Sequence, residues 1–165
     1  DASRFAYFDP LPEEINHWSY GLHDWIVSQS FYSLATTFPP YRVYIIPPGG
    51  IFNHHIDGGA HNRYPIALNL PLSGYIGSIT AWWDEQTAVM ETGYFGVNGL
   101  LATRILNLET IRCLESVEIN QPTLIRSDVI HSVCNSTNDP RFCLVVRWNL
   151  QANHRYEWHE IMLDV

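Results

Sequence analysis

The segment His55-Ile56-Asp57 carries the residue types of a metal site. In a β-strand the side chains alternate between two faces, so His55 and Asp57 point to the same side of a strand. An imidazole and a carboxylate placed in this way form one edge of a chelating site. His131, in another predicted strand, would complete a facial triad of two histidines and one carboxylate, the set that holds Fe(II) with open positions for substrate and oxygen.

Arg141 lies ten residues after His131. The residues between them, 135–140, are rich in turn-forming types and predict a hairpin loop that returns the chain antiparallel. Arg141 then begins an otherwise apolar strand, where a guanidinium without an anionic partner is costly. A dicarboxylate cosubstrate, held by the planar fork of the guanidinium, would supply that partner.

The elements that must position these residues are mainly β-strands. Residues 11–29 place apolar side chains at helical spacing behind a Pro-Glu-Glu start, which predicts an N-terminal helix. From about 41 to 149, short β-branched and aromatic runs alternate with Gly, Pro and Asn, as is typical of a β-sandwich or barrel. We expect residues 84–118 to form an insertion that acts as a lid. The predicted strands are 41–46, 51–57, 63–71, 75–83, 86–90, 122–126, 129–134 and 141–149.

Composition excludes several functions. The chain has 165 residues, a formal net charge of -8 and no lysine, so all nine fixed cations are arginines. Without the lysine amine, neither a Schiff-base enzyme nor a P-loop nucleotide site is available. The acidic balance argues against a nucleic-acid partner, since phosphate binding depends on clustered Lys and Arg. No apolar run approaches the roughly 20 residues of a membrane span.

The cysteines and the N-terminus suggest where the protein works. The three cysteines lack C-x-x-C spacing, which indicates neither a disulfide framework nor a zinc knuckle. No signal-like apolar segment opens the chain. We expect one cytoplasmic domain over 1–165 that binds neither membrane nor nucleic acid, and the oligomeric state is left open.

Two blocks of sequence resemble a known family. Residues 44–55 (YIIPPGGIFNHH) are similar to the strand, Pro-Gly turn and proximal histidine of the 2-oxoglutarate and Fe(II)-dependent oxygenases, in particular the aspartyl/asparaginyl β-hydroxylase branch. Residues 128–131, with Arg141 and Trp148, are similar to the distal histidine, the 2-oxoglutarate-binding arginine and the terminal strand of that branch. The resemblance covers roughly 41–71 and 122–149.

This resemblance implies a fold, cofactors and a reaction. The fold would be a double-stranded β-helix, a jelly-roll of the cupin-like type, with the N-terminal helix packed on the major sheet. His55, Asp57 and His131 would bind Fe(II), and Arg141 would hold the distal carboxylate of 2-oxoglutarate, with Tyr44 and Arg63 as further cosubstrate contacts. With O2, such a protein hydroxylates a C–H bond of an amino acid, a peptidyl residue or a small metabolite, and releases succinate and CO2.

Asp57 is a departure from that branch, whose well-known members have glycine there. The aspartate makes the full triad of the wider superfamily available and argues against a halogenase, which leaves this ligand position to halide. Two alternatives stay open: a cupin-like metalloenzyme that uses zinc or manganese without 2-oxoglutarate, and a non-catalytic jelly-roll binding module.

Several other polar and aromatic residues have ordinary structural interpretations. Arg147 shares strand parity with Arg141, so it would either contact substrate or cosubstrate or form a surface or interface ion pair. Asn69 is interpreted as a core amide, and one of Trp82 and Trp83 would be core while the other lines the substrate mouth. The Asn135-Ser136-Thr137 sequon is interpreted as a chance match. The histidines not expected to be ligands are His17, His23, His54, His61, His154 and His159.

Overall fold

The structure, a computed structural model, describes residues 6–29, 41–59, 62–63, 66–95 and 100–148. It contains two short helices, α1 (Pro12–Trp18) and α2 (Leu22–Ser28). The strands are β1 (Ala6–Phe8), β2 (Tyr41–Ile46), β3 (Ile51–Gly59), β4 (Asn62–Arg63), β5 (Ile66–Ser73), β6 (Ser78–Trp83), β7 (Met90–Phe95), β8 (Leu100–Ile105), β9 (Cys113–Glu118), β10 (Thr123–Arg126), β11 (His131–Asn135) and β12 (Arg141–Trp148).

The described strands form two antiparallel sheets. The five-stranded sheet has the order β1-β2-β12-β5-β10, and the seven-stranded sheet has the order β7-β8-β3-β11-β6-β9, with β4 attached to β3. Sheet neighbours are distant in the chain: β2 pairs with β12, so that Ile46 lies opposite Arg141. Two sheets connected in this way form a double-stranded β-helix, which confirms the predicted fold class.

The central strand β12 shows how the five-stranded sheet is buried on both faces. Leu144 and Val146 belong to the apolar cluster that also contains Ile15 of α1 and Ile26 of α2. Cys143 and Val145 belong to a second cluster, which includes side chains of the seven-stranded sheet. Because side chains alternate along a strand, one near-continuous apolar run supplies both layers. The inner face of β12 therefore looks into the space between the sheets.

The N-terminal helical segment is two helices, where the sequence predicted one over 11–29. The chain turns between them at Gly21, whose φ of 72° lies in the left-handed region that favours glycine. Ile15 and Ile26 are fully buried on the five-stranded sheet, so the predicted packing of helix on sheet is confirmed. Trp18, which the single helix would have placed in the apolar stripe, is 45% exposed and contacts the edge of Phe8.

Residues 84–118 differ from the predicted insertion and lid. They contribute β7, β8 and β9, which extend the seven-stranded sheet at both ends of its strand order. Strand β8 pairs with β3 beside the proposed ligands, with Ala102 opposite Asp57. No described residue of this stretch lines the cavity between the sheets.

The loop after β11 is not the predicted hairpin, because β11 and β12 lie in different sheets. The buried amide of Asn135 holds this crossing in place. Its Nδ2 donates to the carbonyls of Ile46, Pro47 and Asp139 at 3.0, 3.2 and 2.8 Å, and its Oδ1 accepts from Thr137. These hydrogen bonds tie the crossing loop to the end of β2. A fully bonded, buried amide also supports the interpretation of the sequon as a chance match.

None of the helices in the described ranges is long and apolar enough to cross a membrane.

Candidate metal centre

The strand β3 places His55 and Asp57 on the inner face of the seven-stranded sheet. His131, the first residue of β11, lies directly opposite His55. Two residues further along β11, Val133 lies opposite Phe52, so β3 holds one extra residue in between. This bulge keeps Phe52 and His55 on the same face although they are three residues apart. The predicted alternation of His55 and Asp57 is thus present, and β11 brings His131 to them.

These three side chains are buried and close together. Nε2 of His55 lies 3.5 Å from Oδ1 of Asp57, and Nε2 of His131 lies 3.9 Å from Oδ2. One potential ligand atom from each residue can be chosen so that all lie within 4.8 Å of one another. Two imidazoles and a carboxylate at these separations could hold a divalent metal ion.

Backbone carbonyls orient both imidazoles. Nδ1 of His55 lies 2.6 Å from the carbonyl oxygen of Asn53, and Nδ1 of His131 lies 2.9 Å from that of Val129. Since a carbonyl only accepts, each Nδ1 carries the proton and donates it, and each Nε2 keeps a free lone pair. Burial, followed by the nearby His55, lowers the pKa of His131 to about 4, so its ring is neutral at pH 7.

Arg147 is the part of this site that the sequence left between two interpretations. It lies on β12 of the opposite sheet, and its Nε donates to Oδ2 of Asp57 at 2.5 Å. Its Nη1 donates to the hydroxyl of Tyr44 at 2.7 Å. Burial alone would raise the pKa of Asp57, but Arg147 and the two imidazoles outweigh it and hold that pKa well below its usual range. Arg147 therefore forms a buried pair inside the site rather than at the surface or an interface.

A cavity that is partly open to solvent lies between the sheets beside the three residues. Its charged lining consists of Asp57, Arg141 and Arg147. The other lining residues are Tyr44, Ile46, Phe52, Ala67, Asn69, Thr80, Ile125, His131, Val133, Cys143 and Val145.

Arg141 is 3% exposed, and its Nε has no hydrogen-bond partner among the described residues. Oδ1 of Asn69 and Oγ1 of Thr80 are also buried without a partner in the same lining. Buried polar groups are nearly always paired, so three such atoms around one cavity indicate a missing polar ligand. Asn69 is thus a lining residue rather than a satisfied core amide.

Close packing fixes the position of Arg141. Gly74, after β5, has a φ of 66°, and a Cβ built on it would stand 2.2 Å from the carbonyl oxygen of Pro140 and 2.9 Å from Cα of Arg141. The two backbones can approach this closely because residue 74 has no side chain.

The remaining predicted contacts are distributed between the site and other places. Tyr44 lines the cavity, and its hydroxyl accepts the hydrogen bond from Arg147. Arg63 is in β4, paired with Gly58, and its side chain lies outside what the structure describes. Trp82 packs with the inner cluster and is the cross-strand neighbour of His131. Trp83 belongs to a separate cluster and donates to Ser132.

The other described histidines do not join the three residues. His54 faces away, against the ring of Trp83, and His17 is exposed. His23 is half-buried, and its ring forms a hydrogen bond with the hydroxyl of Tyr41. His61, His154 and His159 lie outside the described residues.

The sequence left the role of Arg147 open and did not single out the polar lining residue Thr80, for different reasons. Arg147 lies an even number of residues after Arg141 on one strand, which indicates that both side chains point to the same face. Its partner Asp57 lies on the other sheet and could not be predicted from this spacing. For Thr80, the sequence offered only the alternation of side chains along its strand, which indicates a face of the strand but no function.

The donor set fits a divalent metal ion. Nε2 of His55 is buried and has no hydrogen-bond partner in the part of the chain that the structure describes, which is costly for an imidazole unless a ligand occupies the space. Both histidines present Nε2 and the carboxylate retains Oδ1, so three donors of suitable type are available. The fold and the site together define a double-stranded β-helix protein of the cupin-like type with a candidate metal centre.

Comparison with known proteins gives structural similarities only. No protein-family model and no curated protein sequence matches the chain. A cupin domain of an XRE family transcriptional regulator from Enterobacter cloacae is similar in structure, at 11% identity and a TM-score of 0.42 over 89% of this chain and 98% of that one. A Klebsiella pneumoniae protein with a double-stranded β-helix domain matches at 15% identity and a TM-score of 0.37, over 73% and 75%. Oxalate decarboxylase from Bacillus subtilis matches at 12% and 0.36, over 73% of this chain and 23% of that one. At these identities the likeness is limited to the fold.

Proposed function

We propose that this protein is an Fe(II)- and 2-oxoglutarate-dependent dioxygenase that hydroxylates a C–H bond. The observation that carries the proposal is that one cavity contains both a set of potential metal ligands and an arginine that could bind an anion. A buried His-Asp-His set lies on one sheet, and Arg141, whose buried Nε lacks a partner, faces it from the other sheet. The three potential metal ligands alone would suit many cupin-like enzymes, whereas the buried Arg141 also requires an anionic partner.

The charges of the lining support a dianionic cosubstrate. Asp57 and Arg147 neutralise each other, so Arg141 leaves the lining with a net charge of about +1 while His131 is neutral. A bound divalent cation would raise this to about +3 in a largely apolar space. Because isolated buried charge is costly, an anion of charge -2 would offset most of this charge and leave about +1.

Each residue then has a defined task. His55, Asp57 and His131 would hold the metal, which with 2-oxoglutarate and O2 supplies the oxidising chemistry and yields succinate and CO2. Arg141 would bind the distal carboxylate through its planar fork, with the hydroxyl of Thr80 as a further donor. Ile46, Val133 and Val145 form apolar walls that keep water from the reacting centre.

The test is an anaerobic titration of the metal-free protein with Fe(II) and 2-oxoglutarate, followed by visible absorption. We expect the metal-to-ligand charge-transfer band of chelated 2-oxoglutarate. The band should disappear in His131→Ala and require much higher 2-oxoglutarate in Arg141→Gln. Arg112→Gln, which removes a 76% exposed arginine, is the matched control and should behave as the wild type.

Two other results would each overturn the proposal. Metal binding without any effect of 2-oxoglutarate would favour the cupin-like metalloenzyme, and a folded protein that binds no metal would favour the non-catalytic module. If the band forms, succinate release measured against amino acids, peptides and small metabolites would identify the substrate class.

A further inference from the structure

The pair formed by Arg147 and Asp57 joins the two sheets across the candidate metal centre. Nε of Arg147 donates to Oδ2 of Asp57 at 2.5 Å, while the side chains of the two residues are only 17% and 10% exposed. Nη1 of the same guanidinium donates to Tyr44 at 2.7 Å, which fixes its orientation. One carboxylate oxygen of Asp57 is thus already hydrogen-bonded to the guanidinium of Arg147 before any metal binds.

This pair changes what a metal ion would meet. In a common triad the carboxylate offers a full negative charge to the cation, but here Arg147 cancels that charge at hydrogen-bond distance. The second lining arginine, Arg141, adds an uncompensated positive charge to the same cavity. A divalent cation that enters alone therefore meets a site with a net positive charge, in a partly buried space where charges interact more strongly than in bulk water.

We propose that Arg147 makes metal binding depend on a dianionic ligand, so that the metal ion and the dicarboxylate bind cooperatively rather than independently. This inference rests on the proposed function and adds to it that the binding of one ligand depends on the presence of the other. The dicarboxylate supplies the negative charge that Asp57 cannot give, and by linkage the metal strengthens binding of the dicarboxylate by the same factor. The site stays weakly occupied until both ligands are present.

The direction of the Arg147→Gln effect separates this role from a purely structural one. If Arg147 served only to hold Asp57 in place, its removal would weaken metal binding, as loss of a partner behind a metal ligand usually does. If Arg147 acts as the counter-charge, its removal frees a buried carboxylate and strengthens binding of the metal alone. Metal binding in Arg147→Gln would then depend less on the dianion than metal binding in the wild type.

The experiment is calorimetric titration of the metal-free protein with Mn(II), with and without saturating glutarate. Glutarate has the two carboxylates of 2-oxoglutarate but no keto group, so it reports the charge effect without chelation. In the wild type we expect glutarate to tighten Mn(II) binding at least tenfold. In Arg147→Gln we expect Mn(II) alone to bind several-fold more tightly than to the wild type, with less than a threefold gain from glutarate.

Two variants serve as controls. Arg147→Lys keeps the charge and should retain most of the coupling, and Arg112→Gln removes one exposed positive charge elsewhere and should leave it unchanged. Weaker Mn(II) binding in Arg147→Gln, or equal coupling in that variant and the wild type, would overturn the inference.

A measurement on the wild type alone covers the case in which Arg147→Gln does not fold. The combined shift in melting temperature with Mn(II) and glutarate should exceed the two separate shifts added together, and purely additive shifts would contradict cooperativity. Additive binding together with a normal Fe(II)/2-oxoglutarate band would refute the inference while the proposed function stands. Absence of metal binding under all conditions would refute both.

Discussion

Among the described glycines, Gly74 should be the one whose replacement by alanine most disturbs both stability and the position of Arg141. Its φ of 66° costs any other residue about 1 kcal/mol. In addition, a Cβ at this position would stand 2.2 Å from a backbone oxygen and 2.9 Å from Cα of Arg141, so the backbones must separate. Overpacking of this kind costs roughly 1 to 3 kcal/mol. We expect Gly74→Ala to lower the free energy of unfolding by about 3 kcal/mol.

Gly49→Ala is the matched control. Gly49 has the same φ of 66°, but a Cβ there would have no atom within 4 Å, so only the conformational cost of about 1 kcal/mol applies. For a protein of this length each kcal/mol corresponds to about 2 to 4 °C in melting temperature. The two variants should therefore differ by roughly 5 °C in thermal unfolding and by about 2 kcal/mol in urea unfolding at equal m-values.

The same substitution should also move Arg141. Because the clash reaches Cα of Arg141, 2-oxoglutarate should bind Gly74→Ala more weakly, while Gly49→Ala should bind it as the wild type does. Equal stability of the two variants would refute the steric argument. A large loss of stability with unchanged 2-oxoglutarate affinity would show that the added methyl group displaces the backbone at Pro140 without moving the side chain of Arg141.

Three further predictions follow from the site and its supports. Arg141→Gln should weaken 2-oxoglutarate binding about 10- to 100-fold without lowering the melting temperature of the ligand-free protein, because it removes a buried charge whose Nε lacks a partner; calorimetry and a thermal melt check both. Asn135→Ala should cost roughly 2 to 4 kcal/mol in urea unfolding, since three carbonyls lose their donor, and a loss below about 1 kcal/mol would contradict this. Burial raises the pKa of the Cys143 thiol, so iodoacetamide should modify exposed Cys113 first and leave Cys143 protected until unfolding, as mass spectrometry would show.

Local patterns were sufficient for the residues whose neighbours lie on the same strand. The β-branched and aromatic run over 41–46 predicts β2 with its bounds, and the alternation of side chains along a strand puts His55 and Asp57 on one face. Both results depend only on residue types and geometry within one strand.

Features that depend on which sheet a strand joins could not be predicted in this way. Residues 136–140 have the composition of a hairpin loop, yet they cross between sheets because β12 pairs with β2 and β5. The break at Gly21 was hidden because a glycine inside a helix costs only about 1 kcal/mol and the apolar spacing continues past it. The partner of Arg147 comes from the opposite sheet, beyond the reach of any local pattern.

The pairing of β2 with β12 has a consequence for synthesis of the protein. Ile46 finds its partner Arg141 only after about 95 further residues have been made. At synthesis rates of roughly 5 to 20 residues per second, the nascent β2 waits on the order of 5 to 20 s with its apolar side chains uncovered. Arg141 lies on the last described strand, so the candidate site can form only after this strand has been made.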